Sequence, residues 1–378
     1  MKKILFISMN LGKCDYGGAL VSNGNLFALK ALNKYNVYAV SISKNYSDNI
    51  SKHIEFSILG SKNKVSTALS NLVGYAGRMN FRAMKEVISL IENVKPDIIY
   101  LDSSLLGNIA KICKKKYKDI FIITFFHNVE IDFEFARVRA GRIQFLPSLI
   151  ATSFAEAEAV KNSDKIIMLH QKDSLRLKEK YGREADYFVP VCIKNSVDKK
   201  NAKLTFTKKE KDVIRVGFIG TAFFANVDAV KIIANEIAPK VLNIAHFYIC
   251  GKGFEKYKTL ESSNISVSGY IESLDNFYND IDIMIFPIYS GAGMKVKIAE
   301  SLMYNKSIIA TPFALIGYEK IIDGVNVVQC ESSESFIFQL KNTYCRHDSI
   351  YSRDAYLKYF SEESCHFYFE KIFNDIEL

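Results

Sequence analysis

The sequence predicts an α/β protein built from two doubly wound domains, each with a parallel β-sheet. Three observations lead to this prediction. Strand and helix patterns alternate along the first half of the chain, which is typical of parallel sheets with helical crossovers. A polar, Lys-rich stretch at residues 194–212 interrupts the alternation, and a second alternation follows it. The chain has 378 residues, which is long enough for two domains.

The predicted strands of the first half are short and mostly apolar, as expected for a sheet that helices cover on both faces. They are residues 3–8, 37–41, 54–58, 98–101, 120–126, 165–169 and 186–189. Helical patterns lie between them, at residues 21–32, 65–93 (with a break near Gly74 and Gly77), 106–116, 149–161 and 174–181. We therefore predict an N-terminal domain over residues 1–193 and a linker over residues 194–212.

The second half repeats the architecture without repeating the sequence. Predicted strands are residues 214–219, 246–250, 265–268, 283–287, 307–310 and 326–328, and predicted helices are residues 227–238, 274–279, 295–304 and 333–343. We predict a C-terminal domain over residues 213–355, and a helix at 356–378 that packs back on the first domain. Two such domains facing each other would bring the carboxyl ends of both sheets to one central cleft, where folds of this kind bind ligands.

Composition excludes several classes of protein. Hydrophobic residues make up 49% of the chain and charged residues 24%, so a folded chain with a sizeable core is expected. The seven cysteines are widely spaced and include no CxxC pair, which argues against a disulfide framework or a zinc site. The apolar run at the N-terminus is too short for a signal peptide, and no window approaches 18 apolar residues. We expect a cytoplasmic protein, or one peripheral to the inner face of the cell membrane.

The net charge of +9 has several interpretations. Nucleic acid is not favoured as a partner, because the basic residues are scattered and no nucleic-acid-binding module is recognisable. An anionic lipid surface or a phosphorylated substrate would account for the charge. A Lys-rich surface with no specific partner would account for it equally well.

The stretch at residues 287–300 carries the most chemical information. A buried strand is followed by Ser290, Gly291, Ala292, Gly293 and Met294, and then by Lys295, Lys297 and Glu300 on a predicted helix. Free backbone N–H groups and the helix dipole favour a phosphate at such a turn, and two lysines add charge for a diphosphate. A carboxylate farther into the helix suits a ribose diol. The alternative is an ordinary strand-to-helix turn with a solvated lysine face.

Polar residues follow the strand at 120–126. His127, Asn128 and Glu130 come directly after it, at the carboxyl end where ligands bind. His127 would donate to a sugar hydroxyl or an oxyanion, and Glu130 would orient it or bind an acceptor hydroxyl. A structural histidine is the alternative. The basic, aromatic stretch at 133–142 would grip a phosphorylated or lipid-linked acceptor, or would be a solvated helix face.

Weaker signals lie at other strand ends. Gly17 and Gly18 follow the first strand, and Gly220 ends the first strand of the second half, where Asn226 is a candidate helix N-cap. Tyr270 and Ile271 follow a later strand, where a base could stack on Tyr270. No His, Cys or Asp cluster has metal-ligand spacing, so we predict no metal and no cofactor.

Taken in this order, the features resemble the GT-B glycosyltransferases, in particular retaining family 4 and its relatives in bacterial surface-polysaccharide assembly. The residues that carry the resemblance are Gly17-Gly18, the segment 127–130, the segments 217–220 and 269–270, and above all 287–300 with 310–312. The resemblance implies the GT-B fold of two Rossmann-like domains.

The resemblance also implies roles for individual residues. Glu300 matches the second glutamate of a Glu-x(7)-Glu pair that holds the donor ribose, and Lys295 and Lys297 match the diphosphate site. Gly17 and Gly18 match glycines that approach donor phosphate and acceptor, and His127 matches a histidine that contacts the donor sugar. Tyr270 and Ile271 fall where the nucleobase sits.

The sequence departs from the family pattern in two places. Ser290 stands near the position of the first glutamate, and no arginine is present in the segment 221–223 after the first strand of the second half. We predict a hexosyltransferase that moves a sugar with retention from a nucleotide-sugar to a hydroxyl of a glycan or lipid-linked acceptor, in capsule, lipopolysaccharide or exopolysaccharide biosynthesis. His127, Glu130 and Lys295 are the predicted catalytic residues. The alternatives are a sugar-nucleotide epimerase and a non-catalytic GT-B-like subunit, which the missing glutamate favours.

Overall fold

The chain divides into two compact units, each with its own parallel sheet. The computed structural model describes residues 1–12, 17–45, 52–139, 141–197, 213–342 and 350–376. The N-terminal domain comprises Met1–Cys192 together with Glu362–Leu378, and the C-terminal domain comprises Ile193–Ser361.

Within its described residues, the N-terminal domain has a seven-stranded parallel sheet with the order β3-β2-β1-β4-β5-β6-β7. The strands are β1 (Lys2–Ser8), β2 (Tyr35–Ser43), β3 (Phe56–Leu59), β4 (Ile98–Leu101), β5 (Phe121–Phe126), β6 (Lys165–Met168) and β7 (Tyr187–Phe188). The central strands β1, β4 and β5 are almost entirely buried, because helices cover both faces of the sheet.

The helices of this domain connect successive strands. They are α1 (Gly17–Ala31), α2 (Lys64–Leu72), α3 (Phe81–Val94), α4 (Gly107–Lys116), α5 (Glu130–Arg139), α6 (Leu146–Asn162) and α7 (Gln171–Tyr181). The predicted break within residues 65–93 is confirmed, since α2 ends at Leu72 and α3 begins at Phe81. Asn63 and Asn80 start the two helices by accepting hydrogen bonds from Ser66 N (2.9 Å) and Ala83 N (2.8 Å).

Over the part that the structure describes, the C-terminal domain has a six-stranded parallel sheet with the order β10-β9-β8-β11-β12-β13. Its strands are β8 (Ile214–Ile219), β9 (Ala245–Cys250), β10 (Ile265–Val267), β11 (Ile283–Phe286), β12 (Ser307–Ala310) and β13 (Val327–Gln329). Its helices are α8 (Phe224–Ile232), α9 (Leu274–Asp280), α10 (Val296–Met303), α11 (Ser333–Lys341) and α12 (Tyr351–Tyr359).

The two sheets share one topology, and it decides where ligands can bind. In each sheet the first strand pairs with the second on one side and with the fourth on the other. The chain therefore leaves in opposite directions from β1 and β4, and again from β8 and β11. Such a topological switch point opens a crevice at the carboxyl ends of the two central strands. The prediction of an α/β protein with two doubly wound parallel-sheet domains is confirmed.

The tail and the linker differ from their predicted form. Residues 356–378, predicted as one helix, contain the end of α12 and a separate helix α13 (Glu362–Asp375). Helix α13 belongs to the N-terminal domain and packs against α1, with Phe369 next to Tyr100 of the core. The predicted linker lies outside the described residues from 198 to 212, and its first residues, 194–197, belong to the C-terminal domain.

Candidate functional site

The loop between β11 and α10 adopts a conformation that its glycines make accessible. Gly291 has a φ of 114° and Gly293 a φ of 62°, both in the left-handed region that side chains with a Cβ rarely adopt. Both glycines, together with Ser290 and Ala292, are partly exposed, whereas Met294 is buried. Backbone N–H groups of this loop are therefore accessible to an anion.

The segment 311–318, which follows β12, packs against this loop and fixes its position. The Thr311 hydroxyl donates to the Ile288 carbonyl, and the Tyr318 hydroxyl donates to the Lys295 carbonyl (3.0 Å). Gly317 packs so closely on Met294 that a Cβ at this position would lie 2.6 Å from Met294 Cγ. The loop is thus pre-organised by contacts inside the C-terminal domain.

Lys297 places an ammonium group at the switch point between β8 and β11. Its Nζ donates to Asn226 Oδ1 (2.8 Å) and lies over the rings of Phe218 (4.7 Å) and Phe286 (5.8 Å). Among the described residues, Asn226 Oδ1 is its one hydrogen-bond acceptor. Burial, together with the charge of Lys295, lowers the pKa of Lys297 to about 7, and the charge of Glu300 opposes this shift in part. An anion at this site would restore the charged form.

Gly220 allows this arrangement at the end of β8. A Cβ there would lie 2.6 Å from Lys297 Nζ and 2.8 Å from Asn226 Nδ2. The prediction that Asn226 is the N-cap of its helix is wrong. Phe223 occupies that position, and Asn226 lies in the first turn of α8, where its Nδ2 donates to the Thr221 carbonyl (2.7 Å). Asn226 therefore orients Lys297 and joins it to the loop after β8.

Lys295 is directed at its own loop. Its Nζ donates to the carbonyls of Gly293 (2.6 Å) and Ala292 (3.3 Å) and lies over the Phe313 ring (4.7 Å). The ammonium group closes the turn and neutralises the carbonyl dipoles that would repel an anion. Of the two lysines, Lys297 therefore has the more available charge.

Glu300 lies one turn beyond Lys297 on α10. Its carboxylate is partly exposed and accepts no hydrogen bond from the described residues. Burial raises its pKa, and the charge of Lys297 lowers it in part. A half-buried carboxylate without a donor is costly unless a ligand supplies one. Two adjacent hydroxyl groups would satisfy both of its oxygens.

The loops at the carboxyl ends of β8, β9 and β10 are joined by backbone hydrogen bonds. Gly220 N donates to the Cys250 carbonyl (3.0 Å), and Gly251 N donates to the Gly269 carbonyl (2.9 Å). Tyr270 follows this junction with 76% of its surface exposed, and Ile271 is partly buried beside it. Tyr270 therefore presents a free aromatic face on the same edge of the sheet as Lys297.

The N-terminal domain has its own cluster at the switch point between β1 and β4. Asp102 is fully buried at the end of β4 and accepts hydrogen bonds from Ser8 Oγ (2.7 Å) and Asn25 Nδ2 (3.5 Å). His127 Nε2 lies 3.0 Å from the Asp102 carbonyl and 3.7 Å from its Oδ2. Burial acts to lower the pKa of His127, but the hydrogen bonds and charge of Asp102, together with the charge of Glu130, outweigh burial and the net pKa is raised. His127 is therefore held by Asp102, and its Nδ1 makes no hydrogen bond with a described residue.

Glu130 begins α5, and its neighbour Glu156 fixes that helix start. The Glu156 carboxylate accepts from Glu130 N (2.7 Å) and Ile131 N (3.2 Å), and also from Ser104 Oγ and Tyr181 Oη (both 3.1 Å). Burial and the proximity of Glu156 raise the pKa of Glu130 to about 7. Burial likewise raises the pKa of Glu156 to about 7. The carboxyl of Glu130 is thus poised near neutral pH.

The remaining predicted residues are placed as follows. Gly17 and Gly18 are the first two residues of α1 and are partly exposed. Arg137, in the basic stretch at 133–142, pairs with Glu134 (2.8 Å) and stacks on Phe145 (3.5 Å).

Within the described part of the chain, no group of three His, Cys, Asp or Glu residues has the geometry to hold a metal ion. None of the described helices combines the length and apolar character needed to cross a bilayer.

Two residues that shape these sites, and one contact, were not predicted from the sequence: Asp102, Glu156 and the contact of Asn226 with Lys297. Asp102 could have been identified from the sequence, because it is a polar residue that directly follows the apolar strand at 98–101. Glu156 lies mid-helix in a pattern that predicts a solvated face. The contact of Asn226 with Lys297 joins residues that are 71 positions apart, and nothing local indicates it.

Comparisons with known proteins identify a matching family model and similar folds. Residues 213–344 match the family model described as Glycosyl transferases group 1. This segment contains the switch point with Gly220, Lys297 and Glu300, and it covers about a third of the chain. No curated protein sequence matches the chain significantly.

Solved structures share the fold over the whole chain. Sucrose-phosphate synthase from Thermosynechococcus elongatus has a TM-score of 0.71 at 13% identity, with 100% of this chain and 99% of that chain covered. HepE of Anabaena in complex with UDP-glucose has a TM-score of 0.67 at 10% identity, with 99% and 100% covered. A glycosyltransferase from Rickettsia africae has a TM-score of 0.63 at 16% identity, with 99% and 98% covered. The fold is GT-B, and the family match together with the fold supports a glycosyltransferase.

Proposed function

We propose that the protein is a hexosyltransferase that uses a nucleoside-diphosphate sugar as donor and transfers the sugar to a hydroxyl with retention of configuration. The observation that carries the proposal is the ammonium group of Lys297, which lies at a topological switch point with a single neutral hydrogen-bond partner. The diphosphate of the donor would supply the missing negative charge, and the amides of Gly291 and Gly293 would bind its oxygens.

The rest of the donor follows from the neighbouring side chains. Glu300 would accept hydrogen bonds from the two ribose hydroxyls, since both of its oxygens lack donors among the described residues. The base would lie near Ile271 and stack on the exposed ring of Tyr270. The bound UDP-glucose of HepE from Anabaena supports a donor of this class.

Charge develops on the leaving diphosphate as the sugar departs. Lys297 becomes more favourably paired as that charge grows, and this differential stabilisation accelerates the chemical step. Lys295 would act mainly by holding the loop amides in position, given its bonds to Ala292 and Gly293. Because lysines balance the charge, no metal takes part in this proposal, and EDTA is expected to leave turnover unchanged.

We assign the predicted residues of the N-terminal domain to the sugar and the acceptor. His127 would contact the transferred sugar, held in place by Asp102. Glu130 would bind the acceptor hydroxyl, and its raised pKa suits a group that exchanges a proton near neutral pH. A glycan or lipid-linked acceptor of capsule, lipopolysaccharide or exopolysaccharide synthesis is the proposed substrate.

A sugar-nucleotide epimerase would need a second free carboxylate beside Glu130. The nearest candidate, Glu156, has its oxygens occupied by four hydrogen-bond donors. A non-catalytic subunit is favoured by Ser290, which stands where relatives carry a sugar-binding glutamate. Such a subunit would bind no nucleotide or bind it without turnover.

Thermal shift with a panel of nucleoside diphosphates, followed by turnover of the matching sugar nucleotides, tests the proposal. A ligand at 100 times its dissociation constant stabilises the folded state by about 2.7 kcal/mol, which is readily measured. At least one diphosphate should raise the melting temperature, and its sugar form should release nucleoside diphosphate in the presence of an acceptor. A shift without turnover would support the non-catalytic alternative. No shift with any nucleotide would contradict the proposed transferase and would also leave the non-catalytic alternative standing.

A further inference from the structure

Two neighbouring helices of the N-terminal domain turn rows of apolar side chains toward solvent. On α6 the row is Leu146, Ile150 and Phe154, spaced four residues apart, and on α2 it is Val65, Leu69 and Leu72. These six residues are between 44% and 70% exposed. Exposed apolar rows of this extent mark an interaction surface more often than chance. We call these six residues the apolar rows.

The two helices are adjacent. Helices α2 and α5 both pack against α6. The small side chains of Ala76, Ala151 and Ala155 form a buried cluster beneath them, with Leu105 packed against it. The inward faces of α2 and α6 are therefore packed against the protein, and no other described element covers their outward faces.

The charged residues that border the apolar rows are mostly basic, although Glu158, one turn beyond Phe154 on α6, is acidic and pairs with Lys111. Residues 56–85 contain five basic residues and no acidic residue, and residues 135–155 contain three basic residues and no acidic residue. Lys62, Lys64, Arg139 and Arg142 are exposed and form no ion pair with a described residue. These cations flank the two rows and lack a protein partner within the described part of the chain.

We propose that α2 and α6 form a docking surface for an anionic lipid bilayer. Helices that lie in a membrane interface combine an apolar face with lysine and arginine at its border. The apolar rows would enter the boundary between headgroups and acyl chains, to a depth of about 5–10 Å. The four flanking cations would contact lipid phosphates.

The docking surface lies wholly in the N-terminal domain, whereas Lys297 and the glycine loop lie in the C-terminal domain. Membrane docking therefore does not depend on the proposed donor chemistry. It would bring the protein to the surface where lipid-linked acceptors reside.

Vesicle flotation with the full chain and no nucleotide tests this inference. The protein should partition onto vesicles of 30% phosphatidylglycerol in phosphatidylcholine at least tenfold more strongly than onto pure phosphatidylcholine. Salt at 0.5 M should weaken this binding, because it screens the cations. The triple variant Leu69→Ser/Ile150→Ser/Phe154→Ser should bind at least tenfold more weakly, and Lys64→Glu/Arg142→Glu should also lose binding.

A matched control separates the surface from hydrophobicity in general. Phe338 of α11 is 62% exposed, as is Phe154, so Phe338→Ser should leave vesicle binding unchanged. Because the triple variant changes only exposed positions, its melting temperature and nucleotide-induced thermal shift should match those of the wild type. Absence of binding to the anionic vesicles, or equal binding by wild type and triple variant, would overturn the inference. If the wild type instead formed a dimer in the absence of lipid and bound no vesicles, and the triple variant were monomeric, the surface would be assigned to a second copy of the chain.

Discussion

The two domains have the same strand order but fill their switch points in opposite ways. In the N-terminal domain the crevice between β1 and β4 contains a buried carboxylate, Asp102, with Ser8, Asn25 and His127 around it. In the C-terminal domain the crevice between β8 and β11 contains a cation, Lys297, with one neutral acceptor. In the first cluster, donors within the domain satisfy the carboxylate of Asp102. In the second, the described residues give the ammonium group of Lys297 one neutral acceptor.

This difference shows how one topology serves two purposes. A buried charge that protein donors satisfy fixes the geometry of its neighbours, and here it holds His127 in place. A charge with too few partners is a standing free-energy cost that a ligand of opposite sign relieves. We therefore expect substitutions at the first cluster to change stability and substitutions at the second to change ligand binding.

The largest expected effect is the loss of Asp102. The Asp102→Ala variant leaves Ser8 and Asn25 without an acceptor and should destabilise the N-terminal domain by about 3 kcal/mol. Hydrogen exchange of amides in β1 and β4 resolves this domain from the other. Asp119→Ala, at an exposed position, is the control and should leave exchange unchanged. If Asp102→Ala exchanged at the wild-type rate, Asp102 would make no net contribution to the stability of the N-terminal domain.

A pH dependence of stability should follow from the two carboxyls at the start of α5. The pKa values of Glu130 and Glu156 are raised to about 7, above the usual value of 4.5. Their contribution is complete below pH 4.5 and is lost as the pH rises through 7. Each carboxyl should account for a loss of about 2.5 kcal/mol between pH 5 and pH 8, so the N-terminal domain should lose about 5 kcal/mol over that range. Hydrogen exchange at the two pH values, corrected for intrinsic rates, measures the loss.

Two variants of α6 sharpen this test. Glu156→Gln removes one titrating group and should reduce the loss by about half. Glu158→Gln removes a carboxylate that pairs with Lys111 on the surface, and should leave the pH dependence intact. An unchanged slope in Glu156→Gln would show that Glu156 does not titrate in this range.

Nucleotide binding should weaken as the pH rises above 7. The pKa of Lys297 is lowered to about 7, and a bound diphosphate favours the ammonium form, so binding takes up a proton above that pH. The dissociation constant should increase up to about tenfold per pH unit between pH 7.5 and pH 9. Lys295 and Glu300 are the charged groups that act on Lys297. Lys297→Arg stays charged and should bind without this pH dependence, whereas the same dependence in that variant would exclude Lys297 as its source.

The smallest expected effect concerns Glu300. Glu300→Gln should weaken nucleoside diphosphate binding by about fivefold, since an amide accepts through one oxygen only. A 2′,3′-dideoxy nucleotide should bind the wild type more weakly by a similar factor, and the variant should not discriminate between the two nucleotides. Glu334→Gln, on the exposed surface of α11, is the control. If Glu300→Gln still discriminated fully between the nucleotide and its 2′,3′-dideoxy form, Glu300 would not be the residue that binds the ribose.

Continuous apolar runs made most of the fold predictable. Strands β4, β8 and β12 lie at the predicted residues 98–101, 214–219 and 307–310, because buried parallel strands need an uninterrupted apolar sequence. Helices α5 and α12 carry aromatic and charged residues without a clear apolar stripe, and packing on neighbouring elements decides their state.

The candidate site was predictable only where its residues are close in sequence. The spacing of Lys297 and Glu300 on one helix follows from the strand–loop–helix pattern. The turning of Lys295 toward Gly293, and the contact of Asn226 with Lys297, depend on how the loops fold against α8 and the segment after β12. No local sequence signal contains that information.

Calorimetric titration of the nucleoside diphosphate that gives the largest thermal shift tests the central claim most directly. Lys297→Met keeps the length of the side chain and removes its charge, and Lys256→Met removes an exposed charge elsewhere in the same domain. We expect Lys297→Met to bind about 30- to 100-fold more weakly than the wild type, and Lys256→Met to bind as the wild type does. Equal dissociation constants for all three proteins would contradict the claim that the switch point of the C-terminal domain is the diphosphate site.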